Sequence, residues 1–139
     1  MANFKEAIDK VLENESGYVN NTLDVGGTTN FVISLRFLQS IQPKATCETI
    51  KNLTFEEAEE LYFNHFWLSS NYNEIKSQSI TEKVFDTAVN MGSKVANRFL
   101  QSTLNTMIFN GKPLVEDGYI GTDYAVNYTK LKNDNVFKI

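Results

Sequence analysis

A chain of 139 residues, 42% hydrophobic and 22% charged, has the size and composition of one globular domain able to bury a single sizeable core. A formal charge of −4 without any Lys/Arg run argues against nucleic-acid binding through phosphate neutralisation, and against long-range attraction to an anionic polymer. The lone cysteine, Cys47, excludes an intramolecular disulfide and a cysteine-based zinc site, and the lack of a long apolar run excludes membrane insertion.

The N-terminus has no basic-then-apolar secretory pattern. Residues 3–14 read as a helix: Asn3 can cap it, Glu6 sits at capping-box spacing, and Phe4, Ala7, Ile8, Val11 and Leu12 form one apolar stripe. Glu13 and Glu15 fall beyond that stripe, at the helix C-terminus, where the macrodipole favours a protonated carboxyl. Residues 16–30 then break helical periodicity, with Gly17, Gly26 and Gly27 permitting unusual backbone and Asn20-Asn21 favouring a turn. The apolar run 31–38 fits either a buried strand or the start of a helix, and Pro43 ends whatever follows.

A second helix is predicted from Thr54 to about Phe66. Thr54 caps it with Glu57 at the box position, Phe55, Ala58, Leu61, Tyr62 and Phe66 line one face, and Glu56, Glu59 and Glu60 the other. Residues 79–91 are predicted helical with Ser79 as cap. Gly92 stops that helix, and Ser93 caps another over 94–108 with Val95, Phe99, Leu100, Leu104 and Met107 apolar. Turns are expected at 110–113 and at Asp117-Gly118, and a last helix from about Thr122. The expected fold is mainly α, in one domain, without repeat or linker.

The chemistry concentrates at the end of the first helix. Glu15 is followed nine residues later by Asp24 and then by Thr28 and Thr29. These types suit acid-assisted hydrolysis: a Glu held protonated, an Asp kept ionised, and a hydroxyl to position water. On spacing alone, Glu15 reads first as a solvated helix-end carboxylate, and Asp24 equally as an Asx-turn residue or a catalytic carboxylate. His65, the only histidine, has no partner histidine for a metal site or a nucleophilic relay and reads as a structural or surface residue. Trp67, Tyr72 and Asn73 suit either a sugar cleft or the core. Asp86 and Asn90, one helical turn apart, form a structural pair or a cleft wall, and Asp117 holds its own turn.

Three blocks resemble glycoside hydrolase family 108, the N-acetylmuramidases and phage endolysins. They are Glu15-Ser16-Gly17-Tyr18 with Asp24-Val25-Gly26-Gly27-Thr28-Thr29; Leu53-Thr54 through Glu57-Ala58 and Tyr62 to Phe66-Trp67; and Phe85-Asp86-Thr87-Ala88-Val89-Asn90-Met91-Gly92 with Leu100-Gln101 and Asp117-Gly118-Tyr119-Ile120-Gly121. The resemblance implies a lysozyme-like helical fold with an irregular catalytic loop after the first helix. It implies a catalytic half over about 1–78 and, over about 79–139, a helical half resembling a peptidoglycan-binding region. The activity implied is cleavage of the β-1,4 bond between N-acetylmuramic acid and N-acetylglucosamine, with Glu15 as general acid and Asp24 and Thr29 assisting. Tyr18, Asn30, Trp67, Tyr72 and Asn90 are then expected to bind the glycan. No cofactor or metal is expected. The expected partner is peptidoglycan, met by a monomer made in the bacterial cytoplasm and released to the wall by a holin or a secretion system.

The chain departs from the family pattern at three places. Ser16 replaces a glycine, Val25 replaces a proline, and Asn30-Phe31-Val32-Ile33-Ser34 stands where the family tends to read Asn-Tyr-Gly-Ile-Thr. Val32 is expected to narrow the site or alter its backbone. The alternative function is accordingly a lysozyme-fold protein that binds glycan or another partner without hydrolysing it.

Overall fold

Six α-helices and one short β-hairpin make up the described part of the chain, seen in a computed structural model that describes residues 2–13, 17–107 and 114–121. Glu15, the expected turn at 110–113 and the expected helix from Thr122 lie outside the described residues. The chain falls into two compact units, Asp9–Tyr62 and Met1–Ile8 with Phe63–Ile139. No helix among the described residues is long and apolar enough to cross a membrane.

Helix α1 (Phe4–Glu13) starts where expected, with the Glu6 N–H donating to Asn3 Oδ1 at 3.1 Å. The other half of the expected box is not made. The Asn3 N–H goes instead to Gln78 Oε1, and Gln78 Nε2 donates back to the Asn3 carbonyl at 2.9 Å. A distant residue thus completes the cap that Glu6 leaves open.

In the Asp9–Tyr62 unit, the ambiguous run 31–38 contains a strand and a helix. Strands β1 (Thr29–Asn30) and β2 (Ile33–Ser34) pair antiparallel, Thr29 opposite Ser34 and Asn30 opposite Ile33. Helix α2 (Leu35–Ile41) follows at once, because Ser34 Oγ accepts the Phe37 N–H at 3.0 Å and caps it. Leu35 and Leu38 face inward. Helix α3 (Cys47–Lys51) is capped reciprocally by Thr46 and Thr49, and helix α4 (Phe55–Tyr62) by Thr54 and Glu57, as its sequence predicts.

The hairpin turns through Phe31 and Val32, whose φ values of +52° and +65° give the pattern of a type I′ turn. That pattern prefers Asn-Gly; a β-branched residue there is a genuine outlier. The backbone therefore keeps the conformation a glycine would suit, and Val32 carries the strain while its side chain stays 37% exposed. Tyr62 Oη donates to the Phe31 carbonyl and pins the turn. Val32→Gly is expected to stabilise the protein by about 1 kcal/mol, since relief of left-handed strain exceeds the entropy glycine adds to the unfolded chain. Thermal melts read this as a higher Tm.

In the second unit, the last turns of the α4 region become a π-helix over Phe63–Leu68. A wider turn delays the inward position by one residue, so Trp67 is buried while Phe66 is only half-buried. Trp67 joins Phe4, Tyr72 and Phe85 in an edge-to-face cluster, with Trp67–Phe4 centroids at 5.3 Å and Trp67–Phe85 at 5.5 Å. Helix α5 (Gln78–Met91) begins one residue earlier than predicted and is capped by Ser77, not Ser79. Gly92, at φ +95°, ends it and accepts the Ala96 N–H, opening helix α6 (Ser93–Met107).

The inward face of α6 differs from the expected stripe. Ala96, Asn97, Leu100, Gln101 and Leu104 are buried, whereas Val95 and Phe99 are 38% and 53% exposed. The reason is polar. Asn97 Nδ2 donates to the Gly118 carbonyl, and Gln101 donates to the Tyr119 carbonyl and Asp117 Oδ1 while accepting the Gly118 N–H. These two amides hold the Asp117–Tyr119 turn, which Asp117 also closes on the Tyr119 N–H at 2.9 Å. Its carboxyl is held below the usual range by that N–H first and by Gln101 next.

Candidate functional site

Glu15 follows the last residue of α1 by two positions and lies outside the described residues. The chain resumes at Gly17, whose φ is +86°, and Val19 then pairs antiparallel with Thr29: the Val19 N–H donates to the Thr29 carbonyl at 2.7 Å and the Thr29 N–H to the Val19 carbonyl at 3.0 Å. This bridge closes residues 20–28 into a loop rooted on the hairpin. Asn21 organises the loop from inside, its Oδ1 accepting the N–H groups of Leu23 and Asp24 at 3.1 and 3.0 Å. The Asn21 N–H reaches Thr28 Oγ1 at 3.2 Å. Thr28 is fully buried, its hydroxyl also accepts from Cys47 Sγ, and its carbonyl accepts the Leu35 N–H. Thr28 is therefore the anchor and Thr29, half-buried, the neighbouring strand residue.

Asp24 precedes a single 3₁₀ turn, Val25–Gly27. Both its oxygens lie 2.8 Å from Nη2 of Arg36 in α2. The hydrogen-bonded guanidinium, ahead of every other influence, holds the carboxyl below the usual carboxylate range, with desolvation opposing it. The amides of Gly26 and Gly27 favour the anion further, although neither is aligned well enough to form a capping hydrogen bond. The two glycines also have a steric reason. A Cβ on Gly26 would meet Arg36 Nη2 at 2.8 Å, and one on Gly27 would meet Asn21 Nδ2 at 3.1 Å and Asp24 Oδ2 at 3.2 Å.

Tyr18 is half-buried at the root of this loop. Asn30, expected to bind substrate, is buried, and its Nδ2 donates to the carbonyls of Ile50 at 3.0 Å and Lys51 at 3.3 Å. It ties the hairpin to the end of α3, where carbonyls lack helical partners. An open groove of about 390 Å³ lies in the same unit, lined by Asp9, Lys10, Leu12, Glu13 and Phe55. It runs along the α1 turn that leads to Glu15. Phe55 stands edge-to-face with Phe31 of the hairpin turn, centroids 6.1 Å apart.

The remaining expected sugar contacts belong to the other unit. Trp67 and Tyr72 are 1% and 0% exposed, which leaves neither ring a face for a glycan to stack on. Burial pushes the Tyr72 phenol well above its ordinary pKa, and its hydroxyl donates to Asn97 Oδ1 at 2.7 Å. Both are core residues. Asn90 is exposed, with its amide donating to the Asp86 carbonyl at 2.9 Å.

Sequence reasoning brought Asp24 and Thr29 to one loop but missed Arg36 and the anchoring role of Thr28. Arg36 lies twelve residues from Asp24, on an element whose type the sequence leaves open, and no local spacing rule connects them.

No curated protein matches the chain. A solved structure of Brucella abortus SagA is similar over 96% of this chain and 72% of its own, with a TM-score of 0.78 and 25% sequence identity. The profile of the family described as Glycosyl hydrolase 108 matches residues 8–92, from the middle of α1 to the glycine that separates α5 from α6. More than half of the chain carries that match, and it includes the whole 17–36 loop and hairpin: the protein belongs to glycosyl hydrolase family 108, a lysozyme-like family directed at peptidoglycan.

Proposed function

We propose that the protein is a muramidase, hydrolysing the β-1,4 bond between N-acetylmuramic acid and N-acetylglucosamine. In this reading Glu15 protonates the glycosidic oxygen, Asp24 serves the opposite need for negative charge, and Thr29 orients water. The observation that carries it is the Val19–Thr29 bridge. It pairs Val19, four positions along the sequence from Glu15, with Thr29 and leaves Asp24 on the loop between the paired residues. Tyr18 and the groove beside Phe55 offer aromatic and polar surface of the kind sugars use. The protein would act as a monomer, without cofactor, after release to the wall.

The test is digestion of purified peptidoglycan, followed by borohydride reduction and mass spectrometry of the fragments. New muramitol ends are the expected result. New glucosaminitol ends would assign the other glycosidic bond. No new ends, together with retained binding, would favour a non-hydrolytic glycan-binding protein, the reading that a β-branched Val32 held at φ +65° supports.

A further inference from the structure

The Asp24–Arg36 pair contributes little to folding, because Arg36 is 66% and Asp24 52% exposed and exposed ion pairs are weak. Yet two features of the loop are arranged around it, and the pair itself is closely made. Asn21 fixes the Asp24 backbone, Gly26 leaves room for the guanidinium where a side chain would collide with it, and one Arg36 nitrogen bridges both carboxylate oxygens at 2.8 Å. An arrangement this specific at a solvent-exposed site calls for an explanation other than stability.

We propose that Arg36 is a positioning residue, fixing Asp24 as an anion that faces positive charge developing on the sugar ring and barring it from taking a proton from water. The proposal rests on the muramidase reading. A general base needs an available lone pair and a proton affinity matched to the medium. Asp24 fits these needs poorly: Nη2 of Arg36 bridges both its oxygens, and its proton affinity is depressed. Its oxygens are engaged by Arg36 from α2, with the Gly26 and Gly27 amides facing it from its own loop, and all of these favour the charged form. A carboxylate so held is suited to electrostatic stabilisation of an oxocarbenium-like centre.

Arg36→Gln and Arg36→Lys in the full chain test this. Arg36→Gln is expected to lower kcat on the pH plateau by about 10²-fold, the scale of loss from a small misplacement of a reacting group, with KM little changed. The sign of the pH effect follows from the pair. Arg36 depresses the proton affinity of Asp24, so without it Asp24 protonates at higher pH, and the acid limb of kcat/KM moves up. Arg36→Lys, whose ammonium can bridge both oxygens as Nη2 does, restores most of both. A plateau rate held or raised while the acid limb moves would make Asp24 a base that Arg36 restrains, and would overturn the proposal. An unmoved plateau and limb would overturn it as well. Carbon-13 titration of the Asp24 carboxyl in wild type and Arg36→Gln reads the pairing without catalysis. If wild type releases no muropeptides, the muramidase reading fails and the catalytic task fails with it. The titration then decides separately whether Arg36 fixes the carboxylate, and an unmoved curve would overturn that too.

Discussion

Glu15→Gln is expected to lower muropeptide release by about 10³-fold, within the range for loss of a positioned general acid. The amide matches the carboxyl in size and can still donate a hydrogen bond, but it cannot deliver a proton to the departing glycosidic oxygen. The lost interaction belongs to the transition state and not to the bound sugar, so the fall should appear in kcat with KM nearly constant. Folding should be almost unaffected. Glu15 comes two residues after α1 ends, where the helix macrodipole disfavours a negative charge, so a neutral Gln should shift stability by no more than about 0.5 kcal/mol. Steady-state release of reducing ends, measured beside a thermal melt, gives both numbers. Full activity in Glu15→Gln would mean that another group supplies the proton. A large fall in Tm would mean that the side chain is structural.

The parts of this protein that were legible in its sequence are those set by neighbours a few residues apart. Thr54 with Glu57, Asn3 as acceptor for the Glu6 N–H, and Gly92 between two helices all act where their spacing places them. Ser77 and Ser79, two residues apart, offer the same chemistry, and the true cap is decided by which hydroxyl meets the Ile80 N–H. The hairpin was hidden for a different reason. Its turn is Phe31-Val32, held in left-handed conformation without the Asn or Gly that would announce it. Helix α3 is five residues long, too short for periodicity. The site divides along the same line. Asp24 and Thr29 sit in a polar, glycine-containing loop that their own composition marks. The partners that determine what they do come from elsewhere: Arg36 from α2, Cys47 behind Thr28, and the carbonyls of Ile50 and Lys51 that claim Asn30. Asn30 shows the limit most clearly. An amide beside a catalytic motif suits sugar recognition, but burial and two backbone carbonyls give it a structural task.

Trp67→Ala is expected to destabilise the protein by about 3–5 kcal/mol, the range for truncating a fully buried aromatic, which corresponds to a fall in Tm of roughly 10–20 °C for a domain of this size. Three terms add. The indole loses its burial, being 1% exposed in the native state. A cavity is left among Phe4, Tyr72 and Phe85, whose rings lie 5.3, 6.1 and 5.5 Å from it in edge-to-face geometry, and those pair interactions are lost as well. Collapse into the gap is hindered, because Phe4 belongs to a helix capped through Asn3 and Gln78, Tyr72 is fixed by its hydrogen bond to Asn97, and Phe85 lies within α5. Trp67→Phe should recover about half of the loss, since a ring still fills part of the space. The variants also separate packing from sugar binding. A cleft tryptophan would raise KM for peptidoglycan at unchanged Tm. A core tryptophan lowers Tm while the enzyme that remains folded, assayed well below its melting temperature, keeps its KM. The π-helical turn over Phe63–Leu68 puts Trp67 in the second class, because without its extra residue Phe66 would take the inward position.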